Sequence, residues 1–258
     1  MHEFQEKAEI LAMQALTADM YRCRLHAPQI AAAARPGQFV MVRVSQGLDP
    51  LLRRPLSIHR VDRVTVELLF KVVGRGTALL AAAAVGGRLD LVGPLGHGFS
   101  EDTSTPVLLE GGGMGIAPLL FLAARLRAAA PGQSLPVLLG ARHRGELEVL
   151  AEDFVGVGCE VHVATDDGSL GHHGLVTELF SRVARPGARV AACGPWPMLR
   201  AVACQCREQG YACEVSLETM MACGLAACLG CAVPRPGGGY AHVCKDGPVF
   251  AAGEVVWG

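Results

Sequence analysis

Four cysteines late in the chain stand at spacings that metal chemistry uses. Cys223, Cys228, Cys231 and Cys244 read Cys-x4-Cys-x2-Cys-x12-Cys, inside "MACGLAACLGCAV" and "VCKDGPVF". The order Cys-x4-Cys-x2-Cys…Cys is the plant-type ligand arrangement of a [2Fe–2S] cluster. The residues between them suit that chemistry. Backbone N–H groups spread the negative charge of a thiolate-bound cluster only where the chain comes close, and Gly224, Ala226, Ala227 and Gly230 leave it room to do so. Two other readings stand beside this one. Structural zinc usually pairs its cysteines as two separated knuckles, whereas here three share one loop and the fourth stands alone. A redox dithiol would set its Cys-x2-Cys in a thioredoxin-like strand–helix–strand unit, and this Gly-rich tail has no such pattern.

A second set of residues is suited to nucleotides. In "RRPLSI", Arg53 to Ile58, an arginine near a serine on a strand offers a guanidinium to a pyrophosphate and a hydroxyl to a flavin ring. The Arg-x-x-Ser run from Arg54 to Ser57 resembles the flavin motif of the ferredoxin reductase superfamily. Further on, "KVVGRGTALL" places Gly76 and Thr77 at the opening of a predicted helix, where N–H groups and a hydroxyl would meet a phosphate. "LLEGGGMGIAPLL" puts a glycine run between a strand and a helix, the turn that lets a dinucleotide approach the backbone. Its Gly111, Gly113 and Pro118 match the superfamily pattern. In "ACGPWPML", Cys193 and Gly194 correspond to the superfamily's Cys-Gly-Pro beside the nicotinamide. "ATDDGSLG" resembles its threonine-acid-glycine loop. Each stretch also has a plain reading: a strand start, a tight turn, a buried strand-end thiol, and Asp166 and Asp167 capping a turn. His97 in "GPLGHGF" reads as a solvated loop histidine.

These groups need a scaffold, and the pattern along the chain supplies one. Residues 1–102 are β-rich, with "QFVMVRV", "RPLSIHRV" and "VTVELLFKVV" separated by turn signals and one helical insertion at "TALLAAAA". Short strands so spaced predict a small antiparallel barrel or sandwich. Residues 103–215 alternate strand and helix four times, which implies a parallel sheet covered by helices. Residues 216–258 are too short and Gly-rich to hold a core alone, so a bound inorganic centre would supply what packing cannot. The expected fold is therefore multidomain β plus α/β. It comprises an antiparallel FAD-binding β-barrel (1–102), a parallel-sheet NAD-binding domain (103–215) and a small C-terminal [2Fe–2S] domain (216–258).

Composition narrows the function classes. Of 258 residues, 51% are hydrophobic and 18% charged, which is the balance of a globular chain. A net charge of −1 and a pI near 6.7 give no electrostatic case for nucleic acid or an anionic membrane. The N-terminal "MHEFQEKAEILAMQ" lacks the pattern of a secretory signal. The apolar run "GGGMGIAPLLFLAA" is broken by Gly and Pro and followed by Arg125 and Arg127, against a membrane span. A cytoplasmic location is expected. The other six cysteines, Cys23, Cys159, Cys193, Cys204, Cys206 and Cys213, are expected mostly as reduced core thiols.

Over its whole length the chain resembles the electron-transfer subunits of dihydroorotate dehydrogenase B. The resemblance is carried by "PLLRRPLSI", "FKVVGRGT", "GPLGHGF", "EGGGMGIAPL", "DDGSLG", "CGPWPML" and "MACGLAACLGC…VCKDGPVF". It implies an oxidoreductase subunit that carries FAD and a [2Fe–2S] cluster, partners an FMN-containing catalytic subunit in a two-plus-two heterotetramer, and delivers electrons to NAD+. Carried across motif by motif, FAD contacts would be Arg54, Pro55, Leu56, Ser57, Leu69, Phe70, Lys71, Gly76 and Thr77. Gly111, Gly113, Cys193 and Gly194 would serve the nicotinamide dinucleotide. The cluster ligands would be Cys223, Cys228, Cys231 and Cys244, with no catalytic acid or base needed. Two alternatives share some of these features: a FAD/iron–sulfur reductase subunit of a hydrogenase or transhydrogenase complex, and a zinc-stabilised interaction module with a disused flavin fold.

Overall fold

The computed structural model describes residues 3–258. Its first part comprises β1 (Phe4–Ala15), β2 (Met20–His26), α1 (Pro28–Ala33), β3 (Phe39–Arg43), β4 (Arg54–Asp62), β5 (Thr65–Lys71), α2 (Arg75–Ala81) and β6 (Arg88–Leu95). The six strands close into an antiparallel barrel in the order β1-β2-β5-β4-β3-β6. Alternate residues face inward, as the two-residue strand period requires. Ala8 and Ile10, Cys23 and Leu25, Val40 and Val42, and Val66, Leu68 and Phe70 fill the interior. The longest strand, β1, is hidden in the sequence because its inward side mixes Glu6 with Ala8 and Ile10, so "FQEKAEILAMQA" shows no clean apolar alternation.

The second part is a sheet. It contains β7 (Val107–Gly112), α3 (Ile116–Ala129), β8 (Pro136–Ala141), α4 (Arg144–Gly156), β9 (Glu160–Thr165), β10 (His172–His173), α5 (Phe180–Val183), β11 (Arg189–Cys193), α6 (Trp196–Gln209) and β12 (Ala212–Ser216). The tail adds β13 (Ala232–Pro234), β14 (Tyr240–His242) and β15 (Val249–Ala251). Strand order is β10-β9-β8-β7-β11-β12-β15, parallel except that β15 runs antiparallel to β12. All six residues of β7 are buried, as expected of a central strand covered on both faces. The third helical crossover is shorter than the sequence pattern suggests, a 3-10 turn at Val176–Leu179 followed by the four-residue α5. Between β7 and β11 the order of connection reverses, and in open α/β sheets ligands bind beyond the strand ends at such a point.

The tail has no separate core. Cys231, Val233, Ala241, Val243, Cys244 and Phe250 pack in one cluster with Val190, Leu199 and Val215 of the sheet and with Phe39, Met41 and Leu95 of the barrel. The His97 N–H donates to the Gly247 carbonyl at 2.5 Å, and the Leu217 N–H to that of Pro248 at 2.9 Å. The His97 side chain is exposed, as the sequence suggests, while its backbone ties barrel to tail.

Candidate functional site

The cysteine loop contains little regular structure, and its backbone is turned toward sulfur. The N–H groups of Leu225 and Cys228 donate to Cys223 Sγ at 3.4 Å, and that of Gly230 to Cys228 Sγ at 3.5 Å. Ala226 N–H donates to Cys244 Sγ at 3.3 Å, and Cys244 N–H to Cys231 Sγ at 3.5 Å. Such a path needs left-handed residues: φ is +72° at Gly224, +57° at Ala226 and +58° at Leu229. Non-glycine residues adopt that conformation at a cost, and here it turns the N–H groups toward the sulfurs. Burial acts to raise the Cys223 thiol, but N–H donation from Leu225 and Cys228 outweighs it and holds the group down at about 7. A thiol so poised forms a thiolate readily, and the thiolate is the metal ligand.

The four sulfurs form an outer and an inner pair. Cys228 is exposed and Cys223 half-buried, whereas Cys231 and Cys244 are 3% and 4% exposed with Sγ atoms 3.3 Å apart. Burial, with the neighbouring Cys231 thiol, pushes Cys244 up to about 12. Among the described residues no three His, Cys, Asp or Glu side chains are gathered about a single metal-ion position. Thiols in two pairs, ringed by N–H donors, fit a two-iron cluster.

On the barrel, β4 sets the Arg-x-x-Ser run beside β3, pairing Arg54 with Val42, Pro55 with Met41, Leu56 with Val40 and Ser57 with Phe39. The adjacent Arg53 is committed to the barrel itself, where it donates to the Asp90 carboxylate at 3.0 Å and the Asp90 carbonyl at 2.8 Å. Arg54 instead lies over Gly76, where an added Cβ would collide with its guanidinium. Arg54 and the start of α2 are thus brought together across the sequence. The Thr77 hydroxyl accepts from the Val73 and Gly74 N–H groups at 3.0 and 3.3 Å and donates to the Gly74 carbonyl at 3.0 Å, closing that turn. Leu69 and Phe70 are buried, so what they offer a ligand is backbone.

Beyond the carboxyl ends of the parallel strands lies a cleft of about 410 Å³, lined by Gly112, Gly113 and Met114 of the glycine loop, Pro195 and Met198 at the start of α6, Asp166, and Lys71 of the barrel. Of the residues expected here, Gly113 lines it with φ +54°. Gly111 lies one step back, where a Cβ would press at 3.0 Å on Ile116 and Leu119 of α3. Cys193 and Gly194 support the loop from behind: a Cβ on Gly115 would collide with the Cys193 carbonyl and the Gly194 nitrogen. Cys193 is buried, and that burial raises its thiol. Asp167 caps its turn by accepting from the Ser169 N–H and hydroxyl at 2.9 and 2.6 Å.

Lys71 belongs to the cleft as well as to the barrel. Its Nζ lies 2.7 Å from Glu146 Oε1 on α4 and 3.2 Å from Asp19 Oδ2. The Arg142 guanidinium, which ion-pairs with Glu146, does most to hold that carboxyl down at about 2, against burial and with help from Lys71. Glu146 and Arg142 carry no sequence motif, and Met198 lies in "CGPWPML", where the motif singles out Cys193 and Gly194 instead. They reach the cleft because β8 and β11 end there.

The family model for the iron–sulfur cluster binding domain of dihydroorotate dehydrogenase B matches residues 218–256. The chain is 42% identical to the dihydroorotate dehydrogenase B (NAD(+)) electron transfer subunit of Desulforamulus reducens, with 97% of each chain covered. It is 39% identical to that of Geobacillus thermodenitrificans, over 98% of each. Among solved structures, an NADH-dependent reduced ferredoxin–NADP oxidoreductase described for flavin-based electron bifurcation matches with a TM-score of 0.86 and 32% identity. That match covers 98% of this chain and 90% of the other.

Proposed function

This chain belongs to the family of dihydroorotate dehydrogenase B electron transfer subunits, and on that premise we propose that it carries electrons from the FMN of a separate catalytic subunit, through a [2Fe–2S] cluster and FAD, to NAD+. When bound, the cluster passes single electrons and FAD exchanges two with NAD+ as hydride. The chain's own residues hold and orient these groups. Cys223, Cys228, Cys231 and Cys244 would bind the irons, with the loop N–H groups stabilising the thiolates. Arg54, beside Gly76 and Thr77, would take the flavin pyrophosphate. Ser57 would face the ring, and the glycine loop with Pro195 and Met198 would receive the nicotinamide nucleotide. Three domains divided near residues 102 and 215 would match this division of work.

The observation that carries this reading is the seat of the cysteine loop. A Cβ on Gly224 would come within 2.5 Å of Met41 Cγ and 3.4 Å of Leu95 Cδ1. Leu95 pairs with Phe39, and Phe39 with Ser57. The loop therefore rests on the barrel wall whose next strands carry the flavin motif, a short path for an electron. The exposed outer face of the loop, with Leu225 and Leu229 about half exposed, offers an apolar surface to a catalytic subunit in a two-plus-two assembly. All ten cysteines are free, which suits a reducing cytoplasm. No helix among the described residues is long and apolar enough to cross a membrane.

Reconstitution tests the reading. The chain alone should oxidise NADH with artificial acceptors and leave dihydroorotate untouched, and adding the FMN subunit should create dihydroorotate:NAD+ activity. Dihydroorotate oxidation by the isolated chain would overturn it. The likeness to the ferredoxin–NADP oxidoreductase favours one second reading, a reductase subunit serving another complex. Purification of the native complex decides between them by whether a dihydroorotate-oxidising subunit accompanies the chain.

A further inference from the structure

Hydride exchange requires flavin and nicotinamide at one fixed separation, and the two proposed sites sit on different parts of the molecule. β4 carries Arg54 and Ser57. α3 starts directly after the glycine loop. Between them stands His59, two positions beyond Ser57 and 0% exposed. Its Nδ1 lies 2.7 Å from the carbonyl oxygen of Ala117 in the first turn of α3. A carbonyl only accepts, so the network assigns the proton to Nδ1, which donates. Nε2 then has a lone pair and no partner among the described residues.

That bare lone pair has a cost. A buried acceptor left unpaired lowers stability, and Phe or Leu would fill the space without it. The ring is therefore poorly explained as core filler. Burial, reinforced by the charges of Arg22 and Arg60, pushes its pKa down to about 3 despite the Ala117 bond, so the ring stays neutral at working pH. Other polar ties from barrel strands to the sheet's helices run to α4: Lys71 to Glu146, and Arg22 and Arg60 to Asp153. Of the side-chain hydrogen bonds and ion pairs described between barrel strands and those helices, His59 alone reaches α3.

We propose that His59 is a positioning residue for hydride exchange between FAD and NAD(H): by donating Nδ1–H to the Ala117 carbonyl it fixes the first turn of α3, and the glycine loop before it, against the strand that holds the flavin. The inference rests on the function proposed above. In the assayed direction NADH loses hydride, two electrons with one proton, to the flavin and leaves as NAD+. His59 takes no part in the bond changes.

The test uses the full chain with its cofactors and compares His59→Phe and His59→Leu, which lack a donor, with His59→Asn, whose amide nitrogen is as many bonds from Cα as Nδ1. The donor-free variants should retain FAD and slow its reduction by NADH about tenfold or more, since small misplacements cost that much. KM for NADH should stay within about twofold. Amide hydrogen exchange across residues 116–121 should speed up in these variants, and His59→Asn should recover most of both properties. A donor-free variant reduced at the wild-type rate, or an Asn variant as slow as Phe, would overturn the proposal. Hydrogen exchange needs no nicotinamide. If NADH fails to reduce even the wild-type flavin, the exchange result still decides the role of the hydrogen bond, and the failure belongs to the functional reading instead.

Discussion

The cysteine loop and the nucleotide cleft organise their chemistry in opposite ways. The loop draws three of the four thiols and four of the five N–H donors to them from one short segment, and only Cys244 comes from beyond the β13–β14 hairpin. The cleft takes single residues from the barrel, from three strand ends and from the starts of α4 and α6. A ligand set bound by direct coordination can be written in local spacing. A cleft that recognises a dinucleotide by close backbone approach depends on packing over the whole sheet. Loss of one donor should therefore disable the first outright. The second should tolerate many side-chain changes but resist any atom added where backbones touch.

The sharpest break comes at the loop. Cys228→Ser should abolish the visible charge-transfer bands and all coupled dihydroorotate:NAD+ activity, as iron and acid-labile sulfide assays would register. Stoichiometric zinc in a colourless wild-type protein would remove the iron–sulfur assignment altogether. In the cleft the comparable insult is Gly115→Ala, whose Cβ would meet the backbone of Cys193 and Gly194. Overpacking of this kind costs about 1–3 kcal/mol or more, measurable as a lower denaturation midpoint, whereas Met198→Leu nearby should fold normally. A smaller effect is expected on the barrel. Arg54→Ala removes a charge-assisted contact of about 1.5–3 kcal/mol, a loss of roughly tenfold to a hundredfold in FAD affinity by titration, with cluster absorbance retained. Gly76→Ala should lower FAD affinity in the same direction at little cost in folding, because the atoms it displaces are the mobile end of Arg54.

The smallest effect concerns pH. The Glu146 carboxyl falls from 4.5 to about 2 on folding. Its contribution is thus complete above about pH 4.5 and decays as pH drops toward 2. Glu146→Gln should flatten that part of the profile and lower the melting temperature by only ~2–4 °C near neutrality. Equal acid sensitivity in wild type and variant would show that the ion pairs of Glu146 with Arg142 and Lys71 add nothing to stability.

How much was legible beforehand follows the same division. The cysteine spacing identified the cluster loop, and Arg54 with Gly76 could be paired by resemblance. Strand runs such as "VTVELLFKVV" and "LPVLLGAR" fell close to β5 and β8. β1 escaped because its buried side carries a carboxylate, Glu6, beside Ala8 and Ile10, which breaks the alternation of apolar and polar residues. Glu146 escaped because nothing local distinguishes it, and Met198 because its motif points to Cys193 and Gly194; the ends of β8 and β11 place both at the cleft. Cys193 shows the converse. Its motif is conspicuous, yet its side chain is buried behind the loop, and the contact it makes is through backbone.

The antiparallel seat of β15 against β12 has a consequence for how the protein is made. Until that late strand is synthesised and docks, the emerging sheet presents β12 as an open rim with unpaired N–H and C=O groups, a template for another nascent chain. The segment that completes the rim is the same one that presents Cys244 beside Cys231. A single late segment therefore both covers the rim and completes the set of four cysteines.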